Sequence, residues 1–106
     1  ENIVVSDRGQ QHILPLNDII AIEAMESYCT IHTVKRQFTV SKNLKFYENM
    51  LEENNQFIRS HKSWLLNVQK VERYSKTELS VEMTNGLMTK LSKYKKNEFE
   101  SLFQPK

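Results

Sequence analysis

The sequence is poor in cysteine, proline and glycine, and it has no long apolar run. Its 106 residues include one Cys, two Pro and two Gly. Cys29 cannot form an internal disulfide, and no Cys/His cluster accompanies it, so we expect no metal or other cofactor and a reducing, cytoplasmic compartment. No apolar run reaches the roughly 18–20 residues of a membrane span, and the N-terminus lacks a signal-peptide pattern. We therefore expect a soluble protein without a membrane partner.

The remaining composition is that of an ordinary folded protein. Apolar residues make up 39% of the chain and charged residues 26%, which excludes a disordered or collagen-like chain. A chain of this length normally builds one core, so we predict a single domain over residues 1–106. The chain begins at Glu1 rather than Met, and we expect it to be a module of a longer protein.

Strand-like patterns dominate the sequence. Alternating or β-branched runs bounded by turn residues predict strands, and Asn85-Gly86 is the strongest short hairpin signal. We predict strands at 3–5 and 12–16 around a turn at 6–9, at 19–25, 28–34, 37–40 and 64–66, and a hairpin of 78–83 with 87–91.

Two segments have helical spacing instead. Ser41 is the predicted N-cap of a short amphipathic helix that ends near 52–55, and Ser92 is the predicted cap of a helix that ends near Phe103. Between them, residues 59–63 form a predicted exposed polar loop before the buried run 64–66. The predicted fold is mainly β, with small β-sheets and one or two short α-helices.

Basic residues are unevenly distributed along the chain. The formal net charge is only +2, yet 11 of the 15 Lys and Arg residues lie in three windows without Asp or Glu, at 28–47, 54–71 and 83–97. Ordinary solvated faces are one explanation. If the polar tips of the three windows lie on one side, they form instead an electropositive ridge suited to phosphates, and a helix beginning near Ser92 would add backbone N–H groups.

Several motifs in the correct order resemble the LytTR-type DNA-binding domain of bacterial response regulators. The resemblance covers essentially the whole chain, and its most specific part is the block from Phe57 to Val68. The other matching segments are Ile22-Glu23-Ala24 before Ser27-Tyr28, Leu44 and Leu51 in a short helix, Asn85-Gly86, and Leu91-Ser92-Lys93-Tyr94.

The resemblance implies a mainly β fold whose loops enter successive major grooves of DNA. Position by position, it assigns base reading to Tyr28, His61, Lys62 and Lys93, all within the acid-free windows. We assign Arg59, Ser63, Lys95 and Lys96 to phosphates, which position a protein without reading sequence.

Each assignment has a structural alternative. Tyr28 could stack in the core, His61 could bond to its own loop, Arg59 could support that loop from within, and the lysines could be simply solvated. Lys62 and Lys93 also stand where the family usually has Arg, and Lys lacks the bidentate fork that Arg offers guanine. The resemblance therefore does not imply which bases this domain prefers.

Two other classes of function compete with DNA binding. His12, His32 and His61 are far apart in sequence, and no phosphate-binding Gly-rich loop occurs, so we expect no enzyme activity. A protein- or RNA-interaction module using the same basic face is the alternative, although the usual RNA-binding signatures are absent. The resemblance further implies double-stranded promoter DNA with tandem sites as the partner and an upstream receiver domain, and we expect the isolated domain to be monomeric.

Overall fold

A central five-stranded antiparallel sheet organises the protein. A computed structural model describes residues 1–104, and in it the five-stranded sheet has the order β5-β4-β3-β7-β6, beside a β1-β2 hairpin and a β10-β9-β8 sheet. The strands are β1 (Asn2–Asp7), β2 (Gln10–Pro15), β3 (Ile19–Ala24), β4 (Cys29–Thr33), β5 (Gln37–Val40), β6 (Phe57–His61), β7 (Trp64–Asn67), β8 (Val71–Ser75), β9 (Ser80–Met83) and β10 (Met88–Lys90), and the helices are α1 (Leu44–Met50) and α2 (Lys96–Ser101). The predicted mainly β fold is confirmed.

The two faces of the central sheet bury two separate cores. One core joins the sheet to the β1-β2 hairpin and α1, through side chains such as Ile3, Ile31 and Tyr47. The other joins it to the three-stranded sheet and α2, through side chains such as Leu66, Val81 and Phe99. The sheet is covered on both faces, which explains the continuous apolar runs of β3 and β7.

Turn chemistry places both hairpins where the sequence predicts them. Arg8 and Gly9 connect β1 to β2 with positive φ, and Asn85 (φ 68°) with Gly86 (φ 74°) connects β9 to β10. Two consecutive residues with positive φ match the right-handed twist of paired strands. The predicted start of β9 was too early, since Leu79 has φ 56° and lies in the preceding turn.

Asn67 ends β7 and links it by hydrogen bonds to the start of β3 and to the turn that follows β7. Its fully buried side chain accepts a hydrogen bond from the Gln69 N–H at 2.9 Å and donates to the Ile19 carbonyl at 2.7 Å. These contacts fit the behaviour of Asn at turns, where its side chain replaces backbone partners.

Both predicted helix starts were wrong. Asn43, not Ser41, caps α1, because its Oδ1 accepts the Phe46 N–H at 2.9 Å. The α2 helix begins at Lys96, since the Ser92 hydroxyl accepts the Tyr94 N–H inside a turn that precedes the helix. No helix end therefore lies at Ser92 to supply backbone N–H groups to a phosphate. Neither α1 nor α2 has the length and apolar character needed to cross a membrane, within the described residues 1–104.

The predicted exposed loop at 59–63 was also wrong for most of its length. Residues 59–61 belong to β6, which pairs with β7, and only Lys62 and Ser63 form the turn. Ser60 is fully buried. A polar residue is tolerated there because its hydroxyl donates to the Lys90 carbonyl at 2.8 Å.

Candidate nucleic-acid interface

Backbone hydrogen bonds hold three loops next to one another. Loop 1 (residues 25–28) connects β3 to β4, loop 2 (residues 62–63) connects β6 to β7, and loop 3 (residues 91–95) connects β10 to α2. The Ala24 N–H, at the end of β3 directly before loop 1, donates to the Ser63 carbonyl in loop 2 at 2.8 Å. The Ser92 N–H, in loop 3, donates to the Ser60 carbonyl beside loop 2 at 2.8 Å. The three segments that the sequence separates are thus adjacent in the fold.

A β-bulge at Ser60 makes the link between loops 2 and 3. Arg59 is opposite Leu65 and His61 is opposite Trp64, so Ser60 is the extra residue on β6. A bulge frees backbone groups from the strand ladder and changes the direction of the strand. Here the freed Ser60 carbonyl accepts the Ser92 N–H, and loop 3 is attached to β6 by the irregularity itself.

His61 is half-buried at the end of β6 and is held in one orientation. Its Nδ1 accepts the Ser63 N–H at 3.1 Å. Burial lowers the pKa of His61, and the positive charges of Lys90, Lys62 and Arg59 lower it further. The neutral ring with Nδ1 as acceptor must carry its proton on Nε2. That Nε2–H is a donor suited to a base acceptor or a phosphate oxygen.

Four lysines in and beside loops 2 and 3 have no carboxylate partner among residues 1–104; we call them the open lysines. They are Lys62, Lys90, Lys93 and Lys96. The Lys93 ammonium lies 5.2 Å from the centre of the Tyr94 ring. Tyr94 is 85% exposed. Lys95 differs from the open lysines, since its Nζ is 3.6 Å from Glu98 Oε1.

Sequence reasoning did not assign Lys90 to the site. The available signal was the alternation in β10, where Thr89 is buried and Met88 and Lys90 are exposed. The Ser60 hydroxyl binds the Lys90 carbonyl, which brings Lys90 close enough to affect the pKa of His61. Lys90 is therefore a further candidate in the interface.

Loop 1 presents Tyr28 toward solvent. The loop is closed by the Met25 N–H, which donates to the Tyr28 carbonyl at 2.8 Å. Tyr28 is 40% exposed and lies outside both cores. Of its two interpretations, this placement favours a side chain that can reach a ligand.

Arg59 points inward and is fully engaged. Its Nε donates to the His61 carbonyl at 3.0 Å, its Nη2 to the Lys62 carbonyl at 2.6 Å, and its Nη1 to Glu48 Oε1 at 2.7 Å. These contacts fit the alternative of loop support from within better than a contact with phosphate.

Some basic residues of the acid-free windows are neutralised by carboxylates from other parts of the chain. Arg36 bonds to Asp7 at 2.8 Å, and Glu48, besides Arg59, lies 3.8 Å from Lys45 Nζ. The open lysines near His61 have no such partner among residues 1–104, and neither do Arg8, Lys35, Lys42 and Lys70 elsewhere in that part of the chain. Within residues 1–104, no three His, Cys, Asp or Glu side chains come together in a way that could hold a metal.

Comparisons with known proteins point in one direction. Residues 9–104 match the family model described as LytTr DNA-binding domain. The sensory transduction protein LytR of Staphylococcus saprophyticus is 34% identical over 85 residues, which are 77% of this chain and 33% of that protein. The transcriptional regulatory protein LytR of Staphylococcus aureus is 27% identical over 93 residues, 85% of this chain and 37% of that protein.

A solved structure has the same fold. It is a LytTr DNA-binding domain from Bacillus cereus, with a TM-score of 0.82 and 20% identity, covering 98% of this chain and 97% of that one. The present chain spans about a third of the length of the curated relatives that it matches.

Proposed function

The chain belongs to the LytTR family of DNA-binding domains, and from that premise we propose that it reads double-stranded DNA by inserting its three loops into the major groove. It acts as the output domain of a bacterial transcriptional response regulator and catalyses no reaction. The family supports DNA binding and transcription regulation; the loop mechanism and its residues are our proposal.

The observation that carries the proposal is the backbone connection between the loops. Ala24 to Ser63 and Ser60 to Ser92 are hydrogen bonds between main-chain atoms, so they hold the loops together whatever side chains the loops carry. A rigid set of loops beside the open lysines meets the two needs of sequence-specific binding, which are attraction to phosphates and a fixed position for the base-reading groups.

We assign base reading to Tyr28, His61, Lys62 and Lys93. His61 would donate from Nε2, and each lysine would donate to a base acceptor such as guanine O6 or N7. Phosphate contacts are assigned to Ser63, Lys95 and Lys96, to which the structure adds Lys90. We no longer assign Arg59 to phosphates, because each of its three guanidinium nitrogens donates a hydrogen bond inside the protein.

The rest of the regulator is inferred from the relatives. Because the chain spans about a third of those proteins, we propose that a receiver domain precedes it and that phosphorylation of the receiver promotes pairing on tandem sites. The isolated domain would then be monomeric in solution, and the whole regulator would work in the cytoplasm.

Selection from a pool of random duplexes tests this proposal. The wild-type domain should enrich one motif, and a Lys62→Ala/Lys93→Ala double variant, which retains the backbone links between the loops, should enrich it weakly or not at all. Failure of the wild type to enrich any motif, together with tight binding to RNA of the same length, would favour the RNA-binding alternative.

A further inference from the structure

We propose that Glu48 and Arg59 form a positioning pair that holds loop 2 in the shape required for reading DNA, so that helix α1 sets the geometry of a loop it does not belong to. The inference rests on the proposed function. It assigns a role to an acidic residue that carries the wrong charge for contact with DNA.

Arg59 acts on loop 2 through two carbonyl groups. Its Nε binds the His61 carbonyl at 3.0 Å and its Nη2 binds the Lys62 carbonyl at 2.6 Å. His61 and Lys62 are two of the four residues to which we assign base reading. The planar guanidinium has its donors in a fixed arrangement, so the two bonds fix the direction in which the chain turns after β6.

Glu48 holds the guanidinium in place from the opposite side. Its Oε1 accepts from Arg59 Nη1 at 2.7 Å, and the Glu48 side chain is 32% exposed and the Arg59 side chain 24%. Glu48 stands on α1, which is anchored in the core by Leu44 and Tyr47. The orientation of Arg59 is thus determined by a packed helix and not by the loop that Arg59 supports.

The charge of the pair distinguishes this role from a phosphate contact. Glu48 neutralises Arg59, and an acidic side chain near the interface repels DNA. Electrostatics alone therefore predicts that removal of Glu48 strengthens DNA binding. Positioning predicts the opposite, because Arg59 loses the group that orients it and loop 2 loses its fixed shape.

Glu48→Ala tests these opposite expectations, and Glu52→Ala is the matched control. Glu52 follows α1 and lines one surface groove together with Glu48 and Arg59. Its removal therefore deletes an equal charge close by but breaks no hydrogen bond to Arg59. Specific binding of Glu48→Ala to a duplex carrying the selected motif should weaken roughly five- to tenfold, less than the loss of a fully buried hydrogen bond between charged groups because both side chains are partly exposed. Glu52→Ala should bind as well as the wild type or slightly better.

Arg59→Lys provides a second, independent variant. Lysine keeps the charge but cannot reach two carbonyls and a carboxylate at once, so it should lose most of the specific affinity while the salt dependence of binding stays that of the wild type. A residue in contact with phosphate would behave differently: lysine would largely replace it, and alanine would reduce the salt slope by about 0.9.

Non-specific binding and thermal unfolding separate positioning from loss of the fold. Variants that melt well above the assay temperature and bind a motif-free duplex like the wild type, but bind the motif less tightly, support the pair. Glu48→Ala binding the motif as tightly as Glu52→Ala, with both folded, would overturn it. If the wild type itself selects no motif, the proposed function fails first, and that result is read before any variant is compared.

Discussion

The affinity for DNA should fall steeply as salt rises, and the open lysines set the expected slope. Each cation that neutralises a phosphate changes the logarithm of the affinity by about 0.9 per logarithmic unit of salt. Lys62, Lys90, Lys93 and Lys96 have no carboxylate partner among the residues described, and a lysine that reads a base in the groove displaces counterions from the DNA as one on a phosphate does. We therefore expect a slope between about −3 and −4, so that raising the salt concentration from about 50 to 200 mM weakens binding roughly 100-fold.

Two adjacent lysines make the test specific. Lys95 already lies 3.6 Å from Glu98, whereas Lys96 is one of the open lysines. Lys96→Ala should reduce the slope by about 0.9 and weaken binding to every duplex equally, and Lys95→Ala should reduce it less because part of its charge is already compensated.

Fluorescence anisotropy titrations of a labelled duplex at four or more salt concentrations measure the slope. A wild-type slope near zero would refute the assignment of this surface to phosphates. A slope that changes more for Lys95→Ala than for Lys96→Ala would refute the reasoning that carboxylate partners decide which lysines contribute.

Three further predictions concern single residues. Lys62→Ala should relax one position of the selected motif and reduce the binding free energy for the preferred base by about 1–3 kcal/mol. An unchanged motif with uniformly weaker binding would instead assign Lys62 to phosphate contact. Folding lowers the pKa of His61, so the free energy of unfolding should be highest above the unfolded pKa of about 6.5 and decline as the pH falls through the folded pKa. Urea unfolding at several pH values should show a smaller decline for His61→Gln. Equal declines for the two proteins would contradict this. Asn67→Ala should lower the free energy of unfolding by about 3 kcal/mol, because the buried Ile19 carbonyl and the Gln69 N–H lose their partner, and a loss below about 1 kcal/mol in the same assay would count against it.

Local chemistry made much of the fold predictable. Asn85-Gly86 indicates its hairpin because both residues adopt positive φ, a property of the two residues themselves. The buried run of β7 and the turn role of Asn67 are equally local, since apolar runs and Asx side chains act over a few residues. Trp64 is buried, as expected of the run 64–66, whereas the helix predicted to end near Phe103 ends at Ser101 and Phe103 is more than a third exposed.

The errors arise where a distant partner overrides the local pattern. The polar sequence at 59–61 resembles a loop, yet Ser60 is buried because its hydroxyl binds a carbonyl thirty residues away. The turn that contains Ser92 is fixed by the Ser60 carbonyl, so the helix that Ser92 was expected to cap begins four residues later. Lys90 was missed for the same reason: the alternation in β10 indicates that it is exposed, but its proximity to His61 depends on the hydrogen bond from Ser60 to its carbonyl.

The distribution of charge gives the clearest case of the difference between sequence and space. A window without acidic residues in sequence can still meet acidic residues in the fold, and Glu48 and Glu98 do reach Arg59 and Lys95. What decides attraction to a polyanion is the number of cations left without such partners, because these replace the counterions condensed on the phosphates. The same contacts also give Arg59 a different role from the open lysines. We propose that Arg59, which is paired with a carboxylate and bonded to loop carbonyls, shapes the interface, and that the open lysines bind the DNA.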